Sequence, residues 1–167
     1  LPRLALSTSS LYVAASRVNS AGNLDLGFLK YDLTGSTQVE KAWHGNVSGG
    51  GEIPSGIAVN TLTGNLFIAG TYADGTASPA LGVWHYQSDG TFVFAETLSG
   101  QQNGNGIAIT ASGAKWLATN STAPVQFNTG TTLAGAEGLE GAAAAPTLTA
   151  APFTGVSSMT LRANWST

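Results

Sequence analysis

The sequence predicts an all-β protein built from propeller-like, blade-type repeats of antiparallel strands, with a separate extended strand at its C-terminus. Three observations predict it. An apolar–Ala–apolar triplet occurs three times, as Leu4-Ala5-Leu6, Ile57-Ala58-Val59 and Ile107-Ala108-Ile109, at intervals of about fifty residues. Each triplet leads through a polar turn into a second apolar run, at 11–14, 66–69 and 116–118. A further block recurs as Leu26-Gly27-Phe28-Leu29-Lys30-Tyr31-Asp32 and Leu81-Gly82-Val83-Trp84-His85-Tyr86-Gln87. Short aromatic and branched runs between turn signals, repeated at such a period, are blades rather than one compact enzyme domain.

The elements follow in order. The triplet and the run after it are the first two strands of each unit, joined by Ser7-Thr8-Ser9-Ser10, by 60–65, or by Thr110-Ala111-Ser112-Gly113. The recurring block is the third strand. It ends in Asp32-Leu33-Thr34-Gly35 and in Ser88-Asp89-Gly90, where glycine supplies positive φ. A fourth strand follows at 39–43 and 91–98. The third unit is shorter: 124–128 echoes the third strand weakly and 131–133 is its last strand. The repeat region is therefore 1–133. Residues 134–145 carry Gly, Ala and Glu without an aromatic, and four alanines precede Pro146; this reads as a linker. In 146–167, Met159, Leu161, Ala163 and Trp165 alternate with Ser158, Thr160, Arg162 and Asn164, the pattern of a half-buried strand.

Composition narrows the function classes. Only 9% of residues are charged, against about 25% in ordinary globular domains, so Ser, Thr, Asn, Gln and Gly must cover the surface. That favours a secreted or cell-surface location. A net charge of −3 without a basic run excludes a nucleic-acid footprint and an anionic-lipid patch. No apolar stretch is long enough for a membrane span. Cysteine is absent, which removes disulfides and thiolate chemistry. A start at Leu1 without a leader pattern fits either a removed signal or an excerpt of a longer chain.

The second repeat, Gly56-Ile57-Ala58-Val59-Asn60 through Gly64-Asn65-Leu66-Phe67-Ile68-Ala69-Gly70-Thr71, resembles the β-propeller repeats of large secreted bacterial proteins. The copy at 106–119 departs from that pattern, with Thr110 for the turn Asp/Asn and Ala114-Lys115 at the corner; the first copy lacks the Gly-Asn corner. Pro146 and the run from Val156 to Trp165 are similar to the opening strands of a fibronectin type III-like module, with Trp165 at the core tryptophan position. Both resemblances imply architecture, and both architectures host many functions. A closed propeller usually has at least about four blades. Too few blades leave apolar faces and strand edges without partners, which implies an excerpt, a self-burying three-unit core, or assembly.

The residues point away from enzymology. His44 and His85 lie on different strands with no carboxylate cluster or His-x-His pair, so no metal site is expected. Among the acids, Asp32 and Asp89 occupy equivalent turns, Asp74-Gly75 is another turn, and no calcium loop is present. No nucleophile elbow, phosphate loop or zinc-protease motif occurs, and Gly49-Gly50-Gly51 reads as a connection between strands. No catalytic residue and no cofactor are expected. The aromatics at Trp43, Trp84, Trp116, Tyr12, Tyr31 and Tyr86 fit core packing; Tyr72, outside that register, is the candidate for exposed sugar stacking. Asn46, Asn120 and Asn164 open N-glycosylation sequons.

The expectation is a non-enzymatic extracellular structural protein, a filament or surface-fibre subunit. It would join copies of itself by β-strand addition through Met159, Leu161, Ala163 and Trp165. The alternative is an adhesion module that binds surface polysaccharide or protein. A third reading is an excerpt of a propeller hydrolase whose active site lies elsewhere.

Overall fold

The structure is a computed structural model. It describes residues 1–45, 51–73, 79–98, 104–110, 115–119, 125–127, 131–132 and 135–137. All regular structure in these residues is β, and every strand pairing but one is antiparallel.

The first unit is a four-stranded meander: β1 (Arg3–Leu6), β2 (Ser10–Val18), β3 (Leu24–Asp32) and β4 (Thr37–Gly45). The second repeats it with β5 (Gly51–Val59), β6 (Leu66–Ala73), β7 (Ala80–Tyr86) and β8 (Phe92–Leu98). The third has three strands, β9 (Gly104–Ile109), β10 (Lys115–Thr119) and β11 (Val125–Phe127). A single parallel pair, Leu24 with Gly51, joins the first sheet to the second. Strand order stays open: among the described residues, nothing pairs the last strands back to β1.

Local chemistry explains the hairpins. Asn19 Oδ1 accepts from the Ala21 and Asn23 amides, and Asn60 Oδ1 from those of Leu62 and Thr63. Asp32 Oδ1 accepts from the Thr34 and Ser36 amides, and Asp89 Oδ1 from the Thr91 amide. Short side-chain acceptors mimic a backbone turn in this way. Gly35 and Gly90 close the two equivalent turns at φ 94° and 87°, in the left-handed region that glycine enters freely. The equivalence extends to the irregularities. Register shifts occur between Lys30 and Tyr31 and again between His85 and Tyr86. Ser55 and Asn105 are bulged at matching places, the first beside Pro54, where a strand tolerates a missing amide.

The core lies between units. Alternation along β2 and β3 sends Tyr12, Ala14, Leu26 and Phe28 to one face, where they meet Ile57, Leu66, Ile68, Trp84 and Tyr86 of the second unit. The opposite face of the second unit presents Phe67, Ala69, Leu81 and Val83 to Leu117 of the third. Position by position the two seams correspond: Tyr12 and Ala14 do in the first what Phe67 and Ala69 do in the second. The leading strands follow the same rule. β5 packs on β1 and β2, and β9 packs on β5 and β6. Gly82 makes room for the Trp84 indole, whose ring carbon lies 2.5 Å from where a Cβ would stand.

Three features differ from the expectation. The pair at 131–132, read as the last strand of the third unit, forms β12 (Thr131–Thr132) on β8 of the second. Within the stretch read as a linker, β13 (Gly135–Glu137) pairs with β4. Gly51 belongs to β5 rather than to a connection, because its partner Ala73 extends that ladder. β4 and β8 are the outer strands of their units, and the backbone groups along such an edge recruit whatever extended chain passes.

Candidate functional site

The seam between the second and third units holds the most distinctive side-chain cluster. His85 points away from Trp84 and Tyr86, as alternation requires, and stacks on Phe67 with centroids 4.2 Å apart and planes at 9°. Phe94 meets the imidazole edge-on at 4.9 Å. Lys115, from β10 of the third unit, places its ammonium 5.6 Å from the Phe67 centroid and 5.2 Å from that of Phe94. This is cation–π geometry on two rings. Both imidazole nitrogens are buried without a hydrogen-bond partner. Burial holds the His85 imidazole well below its ordinary range, at about 4, and the nearby Lys115 charge pushes the same way. A neutral imidazole clamped between rings is a packing element. Among the described residues no carboxylate hydrogen-bonds to it.

Lys30 is the first unit's counterpart of His85. Its ammonium lies 5.7 Å from the Tyr12 centroid and donates to the Ser88 carbonyl of the second unit at 2.8 Å. The first two units thus each place a nitrogen-bearing side chain over the aromatic of the second strand, and they are tied across their seam.

At the other end of that seam, sequence reading missed a polar cluster. Asp25 and Glu52 are both buried, in β3 and β5. Asp25 accepts from Asn19 Nδ2 at 3.1 Å and stands opposite Arg17, which forms an ion pair with Glu40. Ser16 Oγ donates to the Glu52 carbonyl at 2.7 Å, joining β2 to β5. No periodicity marks these acids, because their burial depends on where the second unit lands on the first. Among the described residues no group of three His, Asp or Glu could hold a metal ion.

The sequence-predicted residues divide as follows. Tyr12, Tyr31, Trp84 and Tyr86 are buried, as core packing requires. Tyr72, expected as the exposed aromatic, instead packs half-buried against the core of the first seam, since the long β5–β6 ladder sets it opposite Glu52. Asp32 and Asp89 are turn acceptors. Hydrogen bonds from Thr34 and then Ser36 hold Asp32 below the usual carboxylate range, and those from Thr91 do the same for Asp89. His44, Trp43 and Trp116 lie on strands whose backbone alone is described at those positions. The assembly candidates Met159, Leu161, Ala163 and Trp165, and the sequon residues Asn46, Asn120 and Asn164, lie outside the described residues.

The chain matches no protein-family model, and no curated protein matches it. The stacked units therefore carry the functional argument. Among the described residues the third unit is the last, and it presents a face of the kind the first two bury. Ala14 and Ala69 are completely buried, while Ala118, at the same position of the third unit, is exposed. No described helix is long and apolar enough to cross a membrane.

Proposed function

We propose that this chain is a non-enzymatic, extracellular structural protein, a subunit that assembles with copies of itself into a filament or surface fibre through its C-terminal strand. One observation carries the reading: among the described residues, the stacking relation between units does not close on itself. Ala118 is exposed where Ala14 and Ala69 are buried, and the Cβ direction of Gly106 opens onto empty space where that of Gly56 meets the next unit. A relation that repeats in one direction and is left open at the end is head-to-tail, and head-to-tail contacts generate filaments when they do not close into rings. Propeller blades also pack face to face, although radially about a channel, and the face-to-face packing of these units is what supports the resemblance of 1–133 to propeller repeats. Buried aromatics and neutralised or turn-bound titratable groups fit a scaffold better than a catalyst. The alternating strand of Met159, Leu161, Ala163 and Trp165 is the connector, by β-strand addition.

Negative-stain microscopy and light scattering of the native chain test this. Filaments are expected from the native chain, and Trp165→Asp should abolish them while leaving thermal unfolding unchanged. A native chain that stays monomeric across the accessible concentration range refutes the reading.

A further inference from the structure

The third unit is held to the chain differently from the first two. The first and second units share one hydrogen-bonded sheet through the Leu24–Gly51 pair. Their seam is also crossed by hydrogen bonds from the Lys30 ammonium to the Ser88 carbonyl and from the Ser16 hydroxyl to the Glu52 carbonyl. In contrast, β9, β10 and β11 form a sheet of their own, and among the described residues no strand ladder joins it to the other two units. Packing of Leu117, Ile107 and Ile109 on Phe67, Ala69, Leu81 and Val83 holds it in place. The chain enters this unit after β8 and returns to β8 as β12, so one strand of the second unit anchors both ends of the third.

His85 stands in this packed face with both ring nitrogens buried and unpartnered. The elements against it are few. β6 brings Phe67, β8 brings Phe94 with Glu96 one pair along, β9 brings Ile107 and Ile109, and β10 brings Lys115 and Leu117. Among the described residues, Lys115 and Glu96 are therefore the charged groups that face the imidazole. We propose that this seam is an acid-opened joint: protonation of His85 against Lys115 releases the third unit as one piece, while the first two units stay folded together. In the closed seam a charged imidazole has no acceptor for its N–H groups and a like charge nearby, whereas in the opened seam water solvates it. Burial, and then Lys115, hold the closed imidazole at about 4, against an ordinary 6.5. The opened state binds more protons between those values, so opening gains as pH falls from 6.5 toward 4. Such sub-global opening takes one cooperative unit and leaves the rest of the fold in place. The seam lies within one chain, so the inference does not depend on how copies assemble.

Amide hydrogen exchange of the full chain in dilute solution, read by mass spectrometry, tests this against His85→Phe, which keeps the ring stack without the titrating group. Comparing the two chains at one pH cancels the intrinsic exchange rate. At about pH 5 the β9 and β10 amides of the native chain should exchange roughly tenfold faster than those of His85→Phe, and at about pH 8 the two chains should agree. Amides of β2, β3 and β6, inside the larger sheet, should be equally protected in both chains at both pH values. Equal exchange of β9 and β10 at the acid pH overturns the inference. Loss of protection in β2 and β3 together with β9 and β10 overturns it as well, because the whole chain then unfolds rather than one unit. Lys115→Met keeps the test open if His85→Phe fails to fold. Acid should speed its β9 and β10 amides, relative to β2 and β3 of the same chain, less than it does in the native chain. An undiminished acid effect in Lys115→Met overturns the inference.

Discussion

Gly56 and Gly106 stand backbone to backbone where β5 meets β9. A Cβ built on Gly56 would lie 2.7 Å from the Cα of Gly106 and 2.8 Å from the Ile107 amide nitrogen, whereas one built on Gly106 meets nothing within 4 Å. The two glycines precede the same Ile-Ala dipeptide, yet only one is sterically required. The contact is directional: the Cβ direction of Gly56 runs into β9, while that of Gly106 points away from β5.

The first prediction follows from that asymmetry. Gly56→Ala should destabilise the fold by about 1–3 kcal/mol, the usual cost of forcing a group into a packed contact, because the obstructing atoms are backbone. Gly106→Ala should be neutral or slightly stabilising, by about 0.4–1 kcal/mol, through the unfolded chain. Urea midpoints of the two variants would show it; equal losses would mean that the leading strands are not in contact.

Acid should loosen the seam at His85. Its folded pKa, about 4, lies below its ordinary value of 6.5, so the folded chain binds fewer protons than the unfolded chain between those values. The stability that depends on a neutral His85 is therefore complete above pH 6.5, falls as pH drops toward 4, and changes no further below. Solvent screens the loss, because the ring is only half-buried. Lys115 opposes protonation from the third unit, and Glu96 lies one pair along the same face of the β7–β8 ladder. His85→Phe should keep the ring stack and flatten stability against pH in that window; an unchanged profile would assign the acid sensitivity to other groups.

The turn aspartates titrate lower. Hydrogen bonds depress Asp32 and Asp89 in the folded state, so what they contribute is present above the ordinary carboxylate pKa and lost as pH falls through their lowered values. Asp32→Asn should retain most turn stability and lose the acid dependence, while Asp32→Ala should lose both. Chemical-shift titration of the two carboxylates in the intact chain would read their pKa values directly.

Trp84 fills the first seam completely buried, with Gly82 beneath its ring. Trp84→Ala should cost about 3–5 kcal/mol by leaving a cavity there. Gly82→Ala should push the indole off its seat, and loss of the native tryptophan fluorescence would report both changes.

Much of this architecture can be read from residue order alone. Spacing of about fifty residues between the Leu4, Ile57 and Ile107 triplets set the repeat. Asp32, Gly35, Asp89 and Gly90 marked their turns, because a short acceptor and a positive φ are needs of the local backbone. Alternation placed His85 opposite Trp84 and Tyr86. Other features were decided only when the units stacked. β12 left the third unit for the edge of β8, and β13 went to β4, because an open strand edge can be satisfied by any extended segment within reach. Tyr72 turned inward and the acids Asp25 and Glu52 became buried, since each depends on which surface of a neighbouring unit covers it. Gly56 differs from Gly106 for the same reason. Period and turn chemistry are properties of consecutive residues and survive in the sequence, whereas burial and close approach belong to pairs of residues far apart in it, and only the packing of one unit on the next brings such pairs together.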